Sequence, residues 1–197
     1  ILDGVSLSSK ESLGQQLAVP FFNLHDNGLH PAHVGAAAFD GEGTPTKRLC
    51  LIGNGTLENL LHSEATARQF GVHPTGHAGL GAKVSVGPDW FEVSSSSGVS
   101  SAASHLDHRN ASEPFVLIES LNALHAGVKA SQGAFSLPFD GWLVKDGERI
   151  SVEAATIAGD IRDVLKGIVH LEPNEVVTHQ GVSPHVWVDG LAITGEA

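Results

Sequence analysis

The residues of this chain with the greatest capacity for chemistry are its histidines, which number 12 among 197 residues. Imidazole is a common metal ligand and titrates near neutral pH, so converging histidines would indicate a metal site or an acid–base site. His73 and His77 have the i,i+4 spacing of two zinc ligands on one helix face. Pro74 and Gly76 lie between them and oppose a helix. We therefore predict a loop without metal at residues 73–77.

A second group of histidines lies in a turn-rich stretch near the start of the sequence. His25, His30 and His33 flank Asp26-Asn27-Gly28 and Pro31, residue types that favour turns over regular elements. We predict a solvent-exposed connector here, and a metal cluster formed by the three histidines is the less favoured alternative.

Serine makes up seven of the eleven residues at positions 94–104, the one low-complexity stretch of the sequence. Such composition is typical of a flexible surface loop, and a regulatory phosphorylation site is the less favoured alternative. His105 and His108 adjoin this stretch, so we predict that both side chains are exposed.

The remaining motifs do not complete a catalytic constellation. Asp40 and Glu42 are two residues apart, as in a carboxylate pair on one strand face, but the glycines between and after them favour a turn. The glycines at positions 76, 79 and 81 lack the Lys-Ser/Thr pair that ends a phosphate-binding loop. Ser136 lacks the Gly-x-Ser-x-Gly elbow of a hydrolase nucleophile. We therefore predict no catalytic residue in this chain.

Residues 132–161 predict a supersecondary unit that would position neighbouring side chains. Alternating apolar residues indicate two strands, and Asp146-Gly147 between them suits a two-residue hairpin turn. Pro138 and Gly141 favour an edge or bulged strand over a central one, because proline cannot donate to a ladder. Asp160 can cap the short helix that follows.

The rest of the sequence is also rich in short strands. Gly53-Asn54-Gly55 predicts a second hairpin, and Ser63 caps a short helix that Gly71 ends. Short apolar runs, 23 glycines and frequent Asx-Gly pairs favour a β-rich α+β fold. We predict antiparallel β-sheets, sandwich or barrel-like in arrangement, with two or three short helices.

Charge and composition exclude several classes of function. The formal net charge is −11, with 22 acidic against 11 basic residues, so we expect the surface to repel nucleic acid. Cys50 is the single cysteine, which excludes an internal disulfide and indicates a reducing compartment. The sequence has no apolar run long enough for a membrane helix and no signal-peptide pattern. We expect a cytoplasmic protein that binds neither nucleic acid nor membrane.

Several motifs in a fixed order resemble the C-terminal domain of the TldD/PmbA family, whose members are also called modulators of DNA gyrase. They are Phe-Asp-x-Glu-Gly-x-Pro at 39–45, Thr-Gly at 75–76, Gly-x-Phe-Ser at 133–136, Asp-Gly-Glu at 146–148 and Thr-Ile-Ala-Gly at 156–159. The resemblance spans most of the chain and is of the PmbA type, also called TldE. It implies one domain over residues 1–197, and we expect a fragment that lacks an N-terminal domain.

The resemblance also implies a metal site that this chain does not complete. In metal-bearing family members, a His-Glu-x-x-x-His helix supplies two histidines and a catalytic glutamate, and a cysteine completes the zinc site. The expected cysteine position is near Thr178, and no thiol lies there. His179 beside it, and His125 ahead of the Gly-x-Phe-Ser strand, are the less favoured metal candidates. We expect no metal ligand in this chain, and zinc would belong to the intact assembly.

Our first hypothesis is the C-terminal domain of a PmbA/TldE-like subunit in a two-subunit metalloprotease. The family is associated with cleavage of unstructured peptides, and a TldD-like partner would carry the metal. The isolated chain would be inactive and would hold the peptide by strand addition, with the Pro138 and Gly141 region as the candidate edge. The alternative within the family is a homodimeric zinc metallopeptidase whose metal helix lies upstream of this chain.

A hypothesis from another class is a β-sandwich module that binds a ligand on Trp90, Trp142 and Trp187. All three tryptophans lie within strand patterns, where packing in the core is their commoner role. The sequence therefore favours the subunit hypothesis over the binding module.

Overall fold

Strands are the main regular elements of the structure, a computed structural model that describes residues 7–96, 107–109, 111 and 113–196. The strands are β1 (Phe22–Asn27), β2 (Arg48–Gly53), β3 (Thr56–Leu57), β4 (Ala78–Gly79), β5 (Ser85–Val86), β6 (Phe91–Ser95), β7 (Phe115–Leu121), β8 (Val128–Lys129), β9 (Ala134–Lys145), β10 (Glu148–Asp160), β11 (Ile168–Val177), β12 (Gly181–Val188) and β13 (Ala192–Glu196). The helices are α1 (Glu64–Phe70), α2 (Leu124–Gly127) and α3 (Ile161–Lys166), and a 3₁₀ turn spans Lys10–Ser12. None of the helices in these ranges has the length and apolar character to cross a membrane. The predicted β-rich α+β fold, with antiparallel sheets and short helices, is confirmed.

The first sheet has six strands in the order β11-β12-β6-β1-β2-β3. Its neighbouring strands are antiparallel except for β12 and β6, which are parallel. Phe22 of β1 packs in the apolar core with Ile52 of β2 and Leu171 of β11. Burying one such side chain stabilises a fold by about 1.5–3 kcal/mol. The turn between β2 and β3 is the predicted hairpin, with positive φ at Asn54 and Gly55.

The turn-rich stretch near residue 25 is not the exposed connector that the sequence predicts. His25 and Asp26 lie in β1, an interior strand, and Asp26 is completely buried. The turn begins after Asn27, so it contains His30 and His33 but not His25. Short polar side chains favour turns locally, but pairing with β2 on one side and β6 on the other overrides that preference.

The second sheet has the order β13-β10-β9-β7, and β8 also pairs with β9. Strands β9 and β10 form the predicted hairpin, with φ of 53° at Asp146 and 81° at Gly147. Positive φ at both turn residues is typical of the turn that matches the twist of paired strands. Leu137 and Phe139 from β9 pack with Ile157 from β10 in a second apolar core.

Strand β9 is interior, so the predicted edge at Pro138 and Gly141 is wrong. Strand β10 pairs along one side of β9, and β7 pairs along the other. Pro138 is tolerated because the register shifts next to its partner Thr156, where the irregular ladder does not require an amide donor from proline. A Cβ at Gly141 would collide with the Leu117 carbonyl oxygen of β7, so glycine permits this close pairing.

Both predicted helix caps are present. The Ser63 side chain accepts from the Thr66 amide at the start of α1, and Gly71 ends that helix with φ of 69°. Asp160 accepts from the Arg162 amide at the start of α3. Each cap satisfies an amide that the helix itself leaves unbonded, which stabilises the protein by about 1 kcal/mol.

Glu92 in β6 joins three strands of the first sheet through its carboxylate. Its oxygens accept from the Arg48 guanidinium at 3.0 and 2.7 Å and from the Asn27 side chain at 3.0 Å. The hydrogen bonds from Arg48 lower the pKa of Glu92 to about 2; burial opposes this change and Asn27 adds to it. The ion pair with Arg48 therefore links β6 to β2, and the hydrogen bond from Asn27 links β6 to β1.

We expect removal of this charge to lower stability in a pH-dependent way. Folding lowers the pKa of Glu92 from 4.5 to about 2, so its stabilising contribution is complete above about pH 4.5 and is lost as the pH falls to about 2. Glu92→Gln should lower the free energy of unfolding at neutral pH by about 1–2 kcal/mol, because solvent partly screens the half-exposed Arg48. Urea unfolding at several pH values measures both effects. Glu119→Gln, at an exposed position on β7, is the control, and equal acid dependence in the two variants would contradict the prediction.

We also expect Gly141→Ala to destabilise the second sheet. The added methyl group meets backbone of β7, which cannot move aside without breaking strand pairing, so the expected loss is about 1–3 kcal/mol. Gly87→Ala is the matched control, because a Cβ added at Gly87 would meet nothing within 4 Å. Thermal and urea unfolding measure the difference, and equal stability of both variants would show that β7 pairs more loosely.

Candidate functional site

Asp26, His77 and Asp89 form a cluster of metal-ligand side chains where three chain segments meet. Asp26 lies near the end of β1, His77 directly precedes β4, and Asp89 lies in the connection to β6. One ligand atom from each residue lies within 4.8 Å of the others. The side chains of Asp26 and His77 are completely buried, whereas Asp89 is exposed. The cluster therefore has a buried part and a part open to solvent.

The Asp26 carboxylate is held by backbone amides of the segment that leads into β6. Its Oδ2 accepts from the Asp89 amide at 2.9 Å, and its Oδ1 accepts from the Trp90 amide at 3.4 Å. The Trp90 ring is buried and stacks on His30, with 4.3 Å between ring centroids. A buried carboxylate needs such donors, because an uncompensated buried charge is strongly destabilising.

Hydrogen bonds to Thr75 set the tautomer of His77. The Thr75 hydroxyl accepts from the His62 amide at 2.7 Å and donates to the His62 carbonyl at 3.1 Å. Because the Thr75 hydroxyl proton is directed to the His62 carbonyl, the Thr75 oxygen can only accept a hydrogen bond from Nδ1 of His77, at 2.9 Å. The neutral imidazole then carries a lone pair on Nε2. That buried atom lies 3.3 Å from Oδ1 of Asp26 and makes no hydrogen bond within the described residues.

A cavity of about 420 Å³ opens beside this cluster. Its wall includes His77, Asp89, His33 and the exposed Phe39, so imidazole, carboxylate and aromatic surfaces meet there. Burial raises the pKa of Asp89, and the negative charge of Asp26 raises it further. Two carboxylates in close proximity favour a cation or a proton between them. The site is therefore suited to a cationic group.

Asp40, also on the cavity wall, has a structural role. Its Oδ1 accepts from the Glu42 and Thr44 amides, both at 2.9 Å, and its Oδ2 accepts from the Ala78 amide at 3.0 Å. Burial acts to raise the pKa of Asp40, but these three amides outweigh burial and lower it. The predicted turn at Asp40 and Glu42 is confirmed, and the Glu42 carboxylate accepts instead from the Glu64 amide.

A second cluster, His108, Glu172 and His185, borders a larger cavity of about 980 Å³. The buried Glu172 carboxylate accepts from the His108 amide at 2.7 Å and from the Trp187 indole at 2.8 Å, and it lies 2.7 Å from Nδ1 of His108. The rings of His108 and His185 stack with 4.0 Å between centroids. Burial acts to raise the pKa of Glu172, but the hydrogen bonds from His108 and Trp187 outweigh it. The predicted exposure of His108 is therefore wrong, and His105 lies outside the described residues.

The other candidates from the sequence lie apart from both clusters. His125 in α2 and His179 in the turn between β11 and β12 are exposed. Residues 73–77 form a loop, as predicted, and His73 is exposed while His77 is buried. Most of the serine-rich stretch at 94–104 lies outside the described residues, but its first two serines extend β6.

The three tryptophans do not form one platform. Trp90 is 1% exposed, so it is unavailable to a ligand. Trp142 lies in β9 and Trp187 in β12, strands of different sheets. The sequence favours a packing role for all three tryptophans, and the burial of Trp90 fits that role best.

The zinc site implied by the family resemblance does not fit the residues present. At the expected thiolate position, the Thr178 hydroxyl donates to the Gly181 carbonyl at 3.0 Å within a turn. Cys50 lies in β2, where burial, followed by the interaction with Glu58, raises its pKa to about 11. Three strands of the first sheet separate β2 from β11, so this thiol does not lie at the expected position.

The sequence analysis missed Asp26 and Asp89 as site residues. The available signal for Asp26 was the alternation with Phe22 and Leu24, which places a carboxylate on the inward face of a strand. Asp89 gave no such signal, because only the fold brings the connection before β6 to the end of β1.

Comparison with known proteins gives one family. The family model described as the PmbA/TldA metallopeptidase C-terminal domain matches residues 1–195. The chain is 25% identical over 176 residues to metalloprotease PmbA of Escherichia coli O157:H7 and 26% identical over 174 residues to the metalloprotease PmbA homolog of Haemophilus influenzae. These matches cover 87% and 85% of this chain but 35% and 36% of the relatives. The chain thus spans about a third of the length of these relatives.

Solved structures share the fold over nearly the whole chain. A protein of Thermotoga maritima described as a candidate modulator of a DNA gyrase has a TM-score of 0.81 and 30% identity, and the match covers 98% of this chain and 43% of that one. TldE from Thermococcus kodakarensis has a TM-score of 0.75 at 20% identity, with 99% and 46% covered. At 20% identity, the similarity to TldE shows only that the two proteins share a fold.

We expect Thr75→Val to destabilise the protein and to release the tautomer of His77. The substitution keeps the shape of the side chain but leaves the His62 amide and Nδ1 of His77 without an acceptor, at a cost of about 1–3 kcal/mol. Urea unfolding measures stability, and ¹⁵N chemical shifts of the His77 ring report the tautomer. Thr194→Val, at an exposed position on β13, is the control. An unchanged His77 tautomer in Thr75→Val would contradict the assigned donor and acceptor roles.

Proposed function

The chain belongs to the PmbA/TldA metallopeptidase C-terminal domain family, and we propose that it is the C-terminal domain of a PmbA/TldE-like subunit in a two-subunit metalloprotease. The intact enzyme cleaves unstructured peptides, and a TldD-like partner carries the catalytic zinc. The observation that carries this proposal is the family match over residues 1–195. The relatives named metalloprotease PmbA support the same reaction class.

Two features of the chain support a subunit without the catalytic zinc. Thr178 occupies the expected thiolate position and is engaged in a turn, and the Cys50 thiol has a pKa raised to about 11. Cys50 also lies in β2, which three strands separate from β11, so the described residues offer no thiolate at the expected position. In the assembly this domain therefore acts as a wall of the peptide cavity, and the zinc lies on the partner.

The peptide adds as a strand to an outer edge of this domain. Interior β9 cannot accept it, but β11 and β13 lie at sheet edges. Val176 and Val177 of β11 are 46% and 56% exposed, so this edge offers apolar contacts beside free backbone groups. Backbone pairing suits unstructured peptides, because it reads an extended main chain and tolerates varied side chains.

We expect peptide cleavage to require both subunits. The full-length protein that carries this chain should hold no catalytic zinc and should not cleave a fluorogenic unstructured peptide by itself. Mixing it with a TldD-like subunit should produce cleavage that depends on one catalytic zinc ion in each partner subunit. Metal analysis and a fluorescence assay on the separate and mixed proteins measure these outcomes.

A matched control separates the contributions of the two subunits. A TldD-like partner whose metal-motif glutamate is changed to glutamine should form the complex without cleavage. Cleavage by the full-length protein alone, at a zinc ion bound to an upstream His-Glu-x-x-x-His helix, would overturn the proposal in favour of a homodimeric metallopeptidase. An outer-strand substitution, Val177→Pro, should weaken peptide binding while the complex still forms, because Val177 lies in a non-hydrogen-bonded pair with Val182 and its amide faces the β11 edge.

A further inference from the structure

Nε2 of His77 is a buried polar atom that the described fold leaves without a hydrogen bond. Thr75 directs the ring proton to Nδ1, so Nε2 presents its lone pair near Oδ1 of Asp26. A lone pair and a carboxylate oxygen repel each other unless a cation lies between them. A proton on Nε2 or a metal ion would each remove this repulsion.

The separation of the two atoms is that of two ligands on one metal ion. Nε2 and Oδ1 are 3.3 Å apart and make no hydrogen bond with each other. Two ligand atoms at about 2.0–2.1 Å from a tetrahedral zinc ion lie about 3.3 Å from each other. The pair therefore already has the separation of two ligands on one ion.

Asp89 supplies a third donor and the charge that a divalent ion needs. One of its carboxylate oxygens lies within 4.8 Å of the ligand atoms of Asp26 and His77. Its side chain is exposed, so a small change of rotamer can bring that oxygen to an ion. One imidazole nitrogen with two carboxylate oxygens suits divalent first-row metals, and two negative charges neutralise the ion. His77 and Asp89 line the cavity, so the remaining coordination position faces it and takes water or a substrate oxygen.

We propose that Asp26, His77 and Asp89 bind a divalent transition-metal ion, with zinc as the best match, at the wall of the 420 Å³ cavity. Thr75 orients the imidazole through Nδ1, and the Trp90 amide orients the Asp26 carboxylate, as outer partners do in metal sites. This site uses no thiolate and no residue of the family's zinc set. It is therefore independent of the subunit assignment proposed above.

Metal titration of the full-length protein tests the site. After chelator treatment and dialysis, zinc binding is measured by isothermal titration, and visible absorption of added Co²⁺ reports the geometry of the site. Asp89→Asn and His77→Gln should each lower the zinc content by one ion, or lower the affinity for that ion by about 100-fold or more. Asp89→Asn changes an exposed side chain, so it tests the site even if His77→Gln fails to fold.

Two controls match these variants in chemistry and exposure. His73→Gln changes an exposed histidine of the same loop, and Asp163→Asn changes an exposed carboxylate on α3. Both should keep the zinc content of the parent protein and its Co²⁺ spectrum. Equal zinc content in the parent protein, Asp89→Asn and His77→Gln would overturn the proposal, as would a parent protein that binds neither Zn²⁺ nor Co²⁺.

Discussion

The carboxylate of Asp26 is completely buried, and the arrangement of the first sheet follows from the need to satisfy it. It is held at the end of interior strand β1, where the Asp89 and Trp90 amides donate to it and the His77 ring lies beside it. A buried charge without such partners would destabilise the protein by several kcal/mol. The connection into β6 and the loop before β4 are therefore both anchored to one side chain. That anchoring brings the ligand-type residues together.

Two further carboxylates connect distant segments in the same way, but with different consequences. Glu92 links β1, β2 and β6 through Arg48 and Asn27, and its partners leave it fully ionised near neutral pH. Glu172 in β11 is bound by His108 and Trp187, so its oxygens already have donors. These two sites are structural. The Asp26 cluster also borders a cavity, but it differs from these two sites because a buried nitrogen beside it has no hydrogen-bond partner within the described residues.

In the proposed division of labour, the catalytic metal lies on a partner subunit and this domain supplies the scaffold. Family membership assigns this chain to the C-terminal domain of metallopeptidases, which supplies sheets, cores and outer edges. The hairpin of β9 and β10 carries several of the motifs that identify the family, yet it lies inside the second sheet. It holds the second sheet together, and in the proposed function the peptide pairs with an outer strand instead. The ligand-type cluster is built from a different part of the chain.

Local interactions were predictable from the sequence, because a turn, a cap or a strand alternation depends on neighbouring residues. Asp146-Gly147, Ser63 and Asp160 therefore have the predicted roles, and the β-rich α+β fold follows from such signals. Pairing partners depend on segments far apart in sequence. For this reason local patterns predict a connector at β1, an edge at β9 and an exposed side chain at His108, and the structure differs at all three. The cluster of Asp26, His77 and Asp89 exists only because the tertiary structure brings β1 and two loops together, and no local pattern encodes that contact.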